Sequence, residues 1–506
     1  MLRLSTVLLS FLPAVALAQT RADSALVGRI LLAEDQRDST SAALTAGLRH
    51  RDPRISTIAK RAVGRIRDPK FISRDSLPAL PAPPKYSDPS WRLRIRDIAA
   101  RRADCDFMRT ALVDSAWPVR LLAADRLGQE CRNDSIALRT LSSWLTPLPT
   151  RGARQRGSVS WHAPAHAINA LARLEPARAR ASLPAIVGSP VAWLRVYAAT
   201  AAGTLNDTAS LRRLARDPND NVKEAAIDAL SRVAHHAADD EYVAALSSPG
   251  YQAVRAAARA LKGSPRGVAL IEPLSAAARR IARDSSETSR DARLALIERL
   301  GEFATATNGI SPAFAADFDC SVAQAAAPIV ARSAAANVRV GARCTPLRIA
   351  LPSDAVALAF GKDVRVRVTL ADSSGGGSFT VKLRGDVAPL MAARVLALAR
   401  SGYYNGRMWH RVEHDFVIQG GGGGSEYVGF PRFFRDELGT VPHARGTVGM
   451  STRGHDTGDA QWFVNLRDNF RLNGDYTVFG EVIDGIDVVD GVLQGDVIAR
   501  IDVVTP

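Results

Sequence analysis

Between Ala22 and Phe303 one pattern recurs: a turn containing proline, then Val or Leu beside a basic residue, then an alanine-rich stretch with helical spacing. Asp52-Pro53-Arg54-Ile55 leads to Ala62-Val63-Gly64-Arg65-Ile66, and Trp117-Pro118-Val119-Arg120 leads to Ala123-Ala124-Asp125-Arg126-Leu127. Asp217-Pro218 runs through Val222-Lys223 to Ala225-Ala226-Ile227-Asp228-Ala229-Leu230, and Asp88-Pro89, Ser189-Pro190 and Pro249 open further copies. Proline starts a helix well, because its missing N–H would have no partner there. Small alanines let helices approach closely. A helix pair of this size cannot bury its own apolar face, so neighbours must stack into a solenoid. The anchors are irregular: 32 positions separate Val222 from Val254, and 36 separate Asp52 from Asp88.

Variable spacing in the thirties resembles HEAT repeats, over Ala22 to Phe303. That resemblance implies an all-α solenoid (22–303) whose extended face binds a protein partner as a scaffold or recruitment arm. Nothing catalytic is legible in it. His162, His166, His235 and His236 lack the Cys or carboxylate flanks of a metal site.

With 506 residues the chain is too long for one core, so further domains are expected. Residues 1–18 read as a signal peptide: Arg3, an apolar run from Leu4 to Leu17 broken by Pro13, then Ala16-Leu17-Ala18 as a cleavage site. The expected protein is exported, periplasmic or secreted, with cleavage near Ala18. Four cysteines, Cys105, Cys131, Cys320 and Cys344, fit that compartment as two local disulfides, with free thiols as the alternative. Spacing alone does not fix the pairing. The formal charge of +15 is uneven: residues from Phe360 on carry 16 Lys+Arg and 18 Asp+Glu, against 50 and 33 before it. The basic arm is either a solvated arginine face or a weak attractor of anionic surfaces. No nucleic-acid partner is expected, since no groove-reading motif is present.

After a joint at 304–361 the pattern changes to period two. Val364, Val366, Val368 and Leu370 alternate with Arg365, Arg367 and Thr369, as in a half-buried strand, and Ser373 to Ser378 reads as a hairpin loop. Ser378 to Leu383 alternates again. Ala388-Pro389 opens a helix with Met391, Val395 and Leu398 on one face and Gly402 past its end.

Four ordered blocks follow. They are Trp409-His410-Arg411-Val412-Glu413-His414-Asp415-Phe416-Val417-Ile418-Gln419-Gly420-Gly421, His443-Ala444-Arg445-Gly446-Thr447-Val448-Gly449-Met450, Asp459-Ala460-Gln461-Trp462-Phe463-Val464-Asn465 and Leu472-Asn473-Gly474-Asp475-Tyr476-Thr477-Val478-Phe479-Gly480-Glu481-Val482. Together they resemble a cyclophilin-type peptidyl-prolyl isomerase over residues 362–506. The resemblance implies a closed antiparallel β-barrel with capping helices behind the all-α arm. It implies that Arg411 is the catalytic cation, with Phe416 and Gln419 completing the catalytic set. Gln419 would bond the substrate and help hold Arg411. Val417, Phe463 and Leu472 would complete the proline pocket with Phe416. Gln461 and the backbone at Ser451 and Thr452 would hold the peptide, and Tyr476 would flank it.

The chemistry fits those residue types. Rotation about a peptide bond faces a barrier of about 18–20 kcal/mol from resonance. No bond breaks, so no nucleophile, metal or cofactor is needed. A fixed guanidinium near the prolyl nitrogen favours the twisted amide, whose lone pair is free, over the planar one. Proline-containing polypeptides are the expected clients. The alternative is a scaffold that binds proline segments without turnover while the repeats carry the function. Val417 stands where the family usually has methionine, Ser451-Thr452 replaces Ala-Asn, Arg471 replaces a tryptophan and Gly422 an aspartate. His410 and His414 lack a third metal ligand. The glycines 420–424 lack the Gly-Lys-Ser/Thr of a phosphate loop.

Overall fold

The computed structural model describes residues 12–68, 85–101, 103–150, 161–333, 341–345, 347–348 and 350–504, with side chains from residue 21 onward except Ala99 and Ser333. Most of the expected signal peptide, residues 1–11, lies outside them. Helix α1 (Leu12–Asp35) runs through the expected cleavage position, and among its described side chains the buried ones begin at Leu26. No described helix is long and apolar enough to cross a membrane.

The proline turns mark helix starts. Asp52 caps α3 (Pro53–Arg67) by accepting the Arg54 N–H at 2.9 Å. Asn219, two residues before Asn221, caps α12 (Asp220–Val233) in the same way. From α4 (Ser90–Ala100) the chain alternates between two rows of helices. The first row holds α4, α6 (Trp117–Arg126), α8 (His162–Leu174), α10 (Ala192–Thr204), α12, α14 (Tyr251–Ala260) and α16 (Arg290–Phe303), each packed on the next, with α17 (Cys320–Ser333) continuing it. Shorter helices between them, such as α5 (Cys105–Ala111), pack alongside. Their cores merge into one cluster from Ile95 to Val330. Alanine sets the spacing: a Cβ on Gly203 of α10 would lie 3.1 Å from Ala229 of α12. Disulfides join Cys105 to Cys131 and Cys320 to Cys344.

The apolar interior divides elsewhere than the expected boundary after residue 303. Leu26 to Ala62, on α1, α2 (Ala42–Leu48) and α3, share one cluster with residues 355–501 rather than with the other helices. The reason is chemical. Ile30, Ile55 and Ile58 are bulky, and the charges between them pair with one another and with groups on the strand domain. Glu34, fully buried, holds Arg65 at 2.6 Å and Arg61 at 3.4 Å. Arg65 then donates to the carbonyls of Val387, Glu437 and Leu438 at 2.7–3.0 Å. Asp35 takes both terminal nitrogens of Arg394 at 2.9 Å.

The strand domain is an eight-stranded antiparallel sheet in the order β3-β4-β6-β5-β7-β2-β1-β8. The strands are β1 (Arg365–Leu370), β2 (Ser378–Leu383), β3 (Arg411–Val412), β4 (Val417–Gly420), β5 (Thr447–Met450), β6 (Trp462–Asn465), β7 (Val478–Asp484) and β8 (Ile498–Val504). Val366, Val368 and Leu370 of β1 point inward, as their alternation predicts. The two edges approach each other at Met408, which bridges to Gly422 and to Val497. Helix α19 (Pro389–Arg400) differs from the one-sided helix expected. Ala392, Ala393, Leu396 and Ala399 are buried as well as Met391, Val395 and Leu398. α18 (Ala355–Ala359) covers the side away from the sheet, and Arg394 lies under Asp35.

Candidate functional site

Strand register builds the site. Arg411 of β3 lies opposite Gln419 of β4, Gln419 opposite Phe463 of β6, and Phe463 opposite Gly449 of β5. These four stand in one row on the outer face of the sheet. Their neighbours Ile418, Val464 and Val448 form the adjacent row, fully buried in the interior. Period two therefore separates site from core within each strand. The glycine is required sterically: a Cβ at residue 449 would lie 2.4 Å from the Phe463 ring.

Val417, Phe463 and Leu472 form a small apolar cluster apart from the main core, edged by Phe416 and Tyr476. Tyr476 meets Phe463 edge-on at 5.8 Å. His443 stacks beneath Phe463 at 5.7 Å, accepting from Asn465 Nδ2 at Nδ1 and donating from Nε2 to the Tyr476 carbonyl, each at 3.1 Å. Burial lowers its pKa from an ordinary 6.5 to about 4, so the imidazole is neutral there.

Phe416, Val417, Phe463, Leu472 and Tyr476 line a cavity of about 270 Å³ together with Arg411, Gln419, Ser451 and Thr452. Arg411 is half-exposed and held on two edges. Its Nε and Nη2 donate to Glu413 at 2.8 and 2.6 Å, while Nη1 lies 3.4 Å from both Gln419 and Glu426. Gln419 donates to the Ser451 hydroxyl at 2.9 Å. Arg471, in the variant position, stacks 4.3 Å over Phe416.

The structure brings together Arg411, Phe416, Val417, Gln419, Ser451, Thr452, Phe463, Leu472 and Tyr476. Gln461 stands behind them. It is buried, and its amide nitrogen donates to Glu426 C=O at 3.2 Å and to Asp459 at 3.1 Å. The Ser451 N–H is engaged by the Gln461 carbonyl at 2.8 Å, so this part of the expected peptide backbone contact is used within the chain.

The sequence reading missed Glu413, Glu426, Arg453 and His443. Glu413 was accessible to it, two positions from Arg411 in a strand-like run. Glu426 was not, because its loop is fixed by the arm. Tyr427 lies under Arg255 of α14 at 4.1 Å and near Arg453 at 5.5 Å. Arg453 reaches Asp459 at 2.9 Å, the Glu426 carbonyl, and Asp291 of α16. Glu224 of α12 also faces this loop, and burial followed by the charge of Asp228 pushes it up to about 7. Among the described residues no group of three or more His, Cys, Asp or Glu is placed to hold a metal.

The family model described as "Cyclophilin type peptidyl-prolyl cis-trans isomerase/CLD" matches residues 366–503. The chain is 36% identical over 137 residues to a probable peptidyl-prolyl cis-trans isomerase of Brucella suis, covering 24% of this chain and 68% of the relative. It is 35% identical over 130 residues to a peptidyl-prolyl cis-trans isomerase of Helicobacter pylori, covering 25% and 80%. With the peptidyl-prolyl cis-trans isomerase-like 2 of Rhizopus delemar it shares 39% identity over 120 residues, 22% of either chain.

Proposed function

Because this chain belongs to the cyclophilin-type peptidyl-prolyl cis-trans isomerase family, we propose that its strand domain rotates X–Pro bonds in proline-containing polypeptides at the Arg411 pocket. The observation that carries this is the row Arg411–Gln419–Phe463 beside the apolar cluster of Val417, Phe463 and Leu472. The proline ring enters that cluster, against Phe463 and Phe416. Arg411 stands at its rim. Glu413 grips the Nε/Nη2 edge of the guanidinium, which leaves Nη1, with only its two 3.4 Å contacts, to turn toward substrate. As the amide twists, the prolyl nitrogen gains a lone pair, and the Nη1–H donates to it. That bond exists only in the twisted state, so it lowers the barrier without tightening ground-state binding. Gln419, held by Ser451, orients the guanidinium and donates no proton to the reaction.

The test is exchange between cis and trans isomers of a short proline peptide, with wild type and Arg411→Ala compared. Loss of the one transition-state donor is expected to lower kcat/KM by about 10²–10³-fold. Equal rates for the two proteins would sink the assignment. A second reading, a proline-binding scaffold without turnover, is favoured by the internal use of the Ser451 N–H. It predicts peptide binding with no rate above background.

The stacked helices are proposed to be a HEAT-like solenoid that binds clients or a protein partner, and the strand domain a closed barrel. Support for the first is the alternating double row of α4–α16, and for the second the bridges of Met408. Export with cleavage near Ala18 is proposed from residues 1–18 and the two disulfides. Recovery of mature protein beginning at Gln19 is the expected outcome of N-terminal mass analysis. Weak attraction of the basic arm to anionic surfaces predicts binding that falls steeply with salt.

A further inference from the structure

A second cavity, about 500 Å³, lies between the arm and the strand domain and shares Arg411 with the first. One wall is the β3 hairpin from Arg411 to Asp415. The other is the arm: Pro118, Leu121, Leu122 and Asp125 of α6, with His166 of α8 and Tyr197 of α10. Its floor is pinned by Gln494, which accepts from the Tyr197 hydroxyl at 2.9 Å and donates to the His410 carbonyl at 2.9 Å. His162 bonds the Gln494 carbonyl at 2.7 Å. The two walls are thus fixed to each other across the cavity, and they meet at its end, where Trp91 of α4 lies edge-on to His414 at 5.9 Å and Arg96 lies 3.7 Å from Asp415.

The β3 wall has a second property. Among the described residues β3 is an edge strand. The segment leading into β8 runs beside Met408 and Trp409, then leaves at Leu493 and Gln494. The edge of β3 at Arg411 and Val412 therefore faces the arm instead of another strand, and the chain turns at residues 414–415. An edge strand is a template for an extended chain, offering main-chain hydrogen bonds at the strand repeat. Opposite it, Leu122 offers apolar surface and Asp125, bonded to His166 at 2.7 Å, a polar one. A polypeptide needs this combination, having backbone groups to satisfy and mixed side chains to seat.

We infer that this cleft is an extension of the substrate site, which takes in extended form the stretch of polypeptide flanking the proline held at Arg411. The inference rests on the isomerase reading of the Arg411 pocket. It gives the arm a direct part in substrate choice: the strand domain sees the proline, and α6 sees its surroundings. Free peptides with nothing beyond the proline and its immediate neighbours miss that contact. Binding energy gathered away from the reacting bond raises kcat/KM for the long substrate alone.

The experiment compares two peptides with the same Ala-Ala-Pro-Phe centre, one of four residues and one of sixteen, by isomer exchange with the full chain. The long-to-short ratio of kcat/KM is expected to be about ten for wild type, and to fall to about one in Leu122→Asp. A wild-type ratio of one, or a ratio unmoved in a folded Leu122→Asp protein, overturns the cleft and leaves the isomerase reading standing. No turnover of either peptide overturns that reading instead. The cleft is then decided by wild-type protein and a sixteen-residue peptide carrying a photoreactive group four residues from its proline. Crosslinks to residues 118–126 or 493–494 support the cleft, and crosslinks confined elsewhere sink it.

Discussion

Helices α1–α3 and the helices from α4 onward obey the same sequence pattern and serve different bodies. α3 and α12 both begin at an Asp-Pro turn and both carry alanines and arginines. α12 buries Val222, Ala226 and Ala229 against neighbouring helices. α3 buries Ile55 and Ile58 against the strand domain and turns Arg61 and Arg65 inward with them. Alanine faces select other alanine faces, because close approach is all they offer. A bulky face with buried cations selects a partner that supplies carbonyl groups. The strand domain supplies them at Val387, Glu437 and Leu438.

The contrast is broken most severely at Arg65. Arg65→Ala leaves Glu34 buried beside only the more distant Arg61, and removal of one partner of a buried pair costs about 3–5 kcal/mol. Chemical unfolding is expected to show α1–α3 and the strand domain losing stability together, with isomerase activity disappearing in the same transition. A separate, unshifted activity transition would mean that the two are not one core. Breaking Cys105–Cys131 is the converse change. Its sequence separation of 26 corresponds to about 3 kcal/mol of lost stability in a Cys105→Ser/Cys131→Ser protein. That loss is expected in the melting of the arm, followed by proteolysis at residues 105–143, before activity on a short peptide declines.

The smallest of these effects is the pH dependence that His443 gives the strand domain. His443 is depressed to about 4, below its ordinary 6.5, so its contribution is fully present above pH 6.5 and is lost as pH falls toward 4. Between pH 6.5 and 5 that amounts to roughly 2 kcal/mol. Asp436 and Glu437, both pushed up to about 6 by burial, act with the opposite sign: their contribution is lost as pH rises through 6. The readout is therefore the difference between wild type and His443→Gln in urea titrations across this range. Parallel curves for the two proteins would remove His443 from the account. A matching dependence in the arm's own transition would remove its assignment to the strand domain.

The contrast also shows where sequence stops being informative. Helix starts were legible because Asp52, Pro53 and Asn219 act on their own next few residues. The row Arg411–Gln419–Phe463 was legible because an ordered set of motifs carries it. The destination of α1–α3 was not. Glu34 and Arg65 sit where a charged residue ordinarily faces water, and the carbonyls that make their burial tolerable lie more than 300 positions away in the chain. Arg453 is similar, since Asp291 lies 162 positions before it. The internal bonds of Gln461 were hidden for a subtler reason: its partners are the Glu426 carbonyl and Asp459, and the first comes from a loop with no periodicity to read.

The alternation along β4, β5 and β6 gives the molecule room to change its trade. Ile418, Val448 and Val464 hold the fold from one side, while Val417, Gln419, Gly449 and Phe463 build the cavity face on the other. Among the positions where this chain leaves its family's pattern, Val417, Ser451, Thr452 and Arg471 all line the pocket, and none belongs to the interior row. Substitutions there change the lining of the cavity without asking the interior to repack. Preference and persistence are inherited through alternate residues of the same strands, so one can drift while the other stands still.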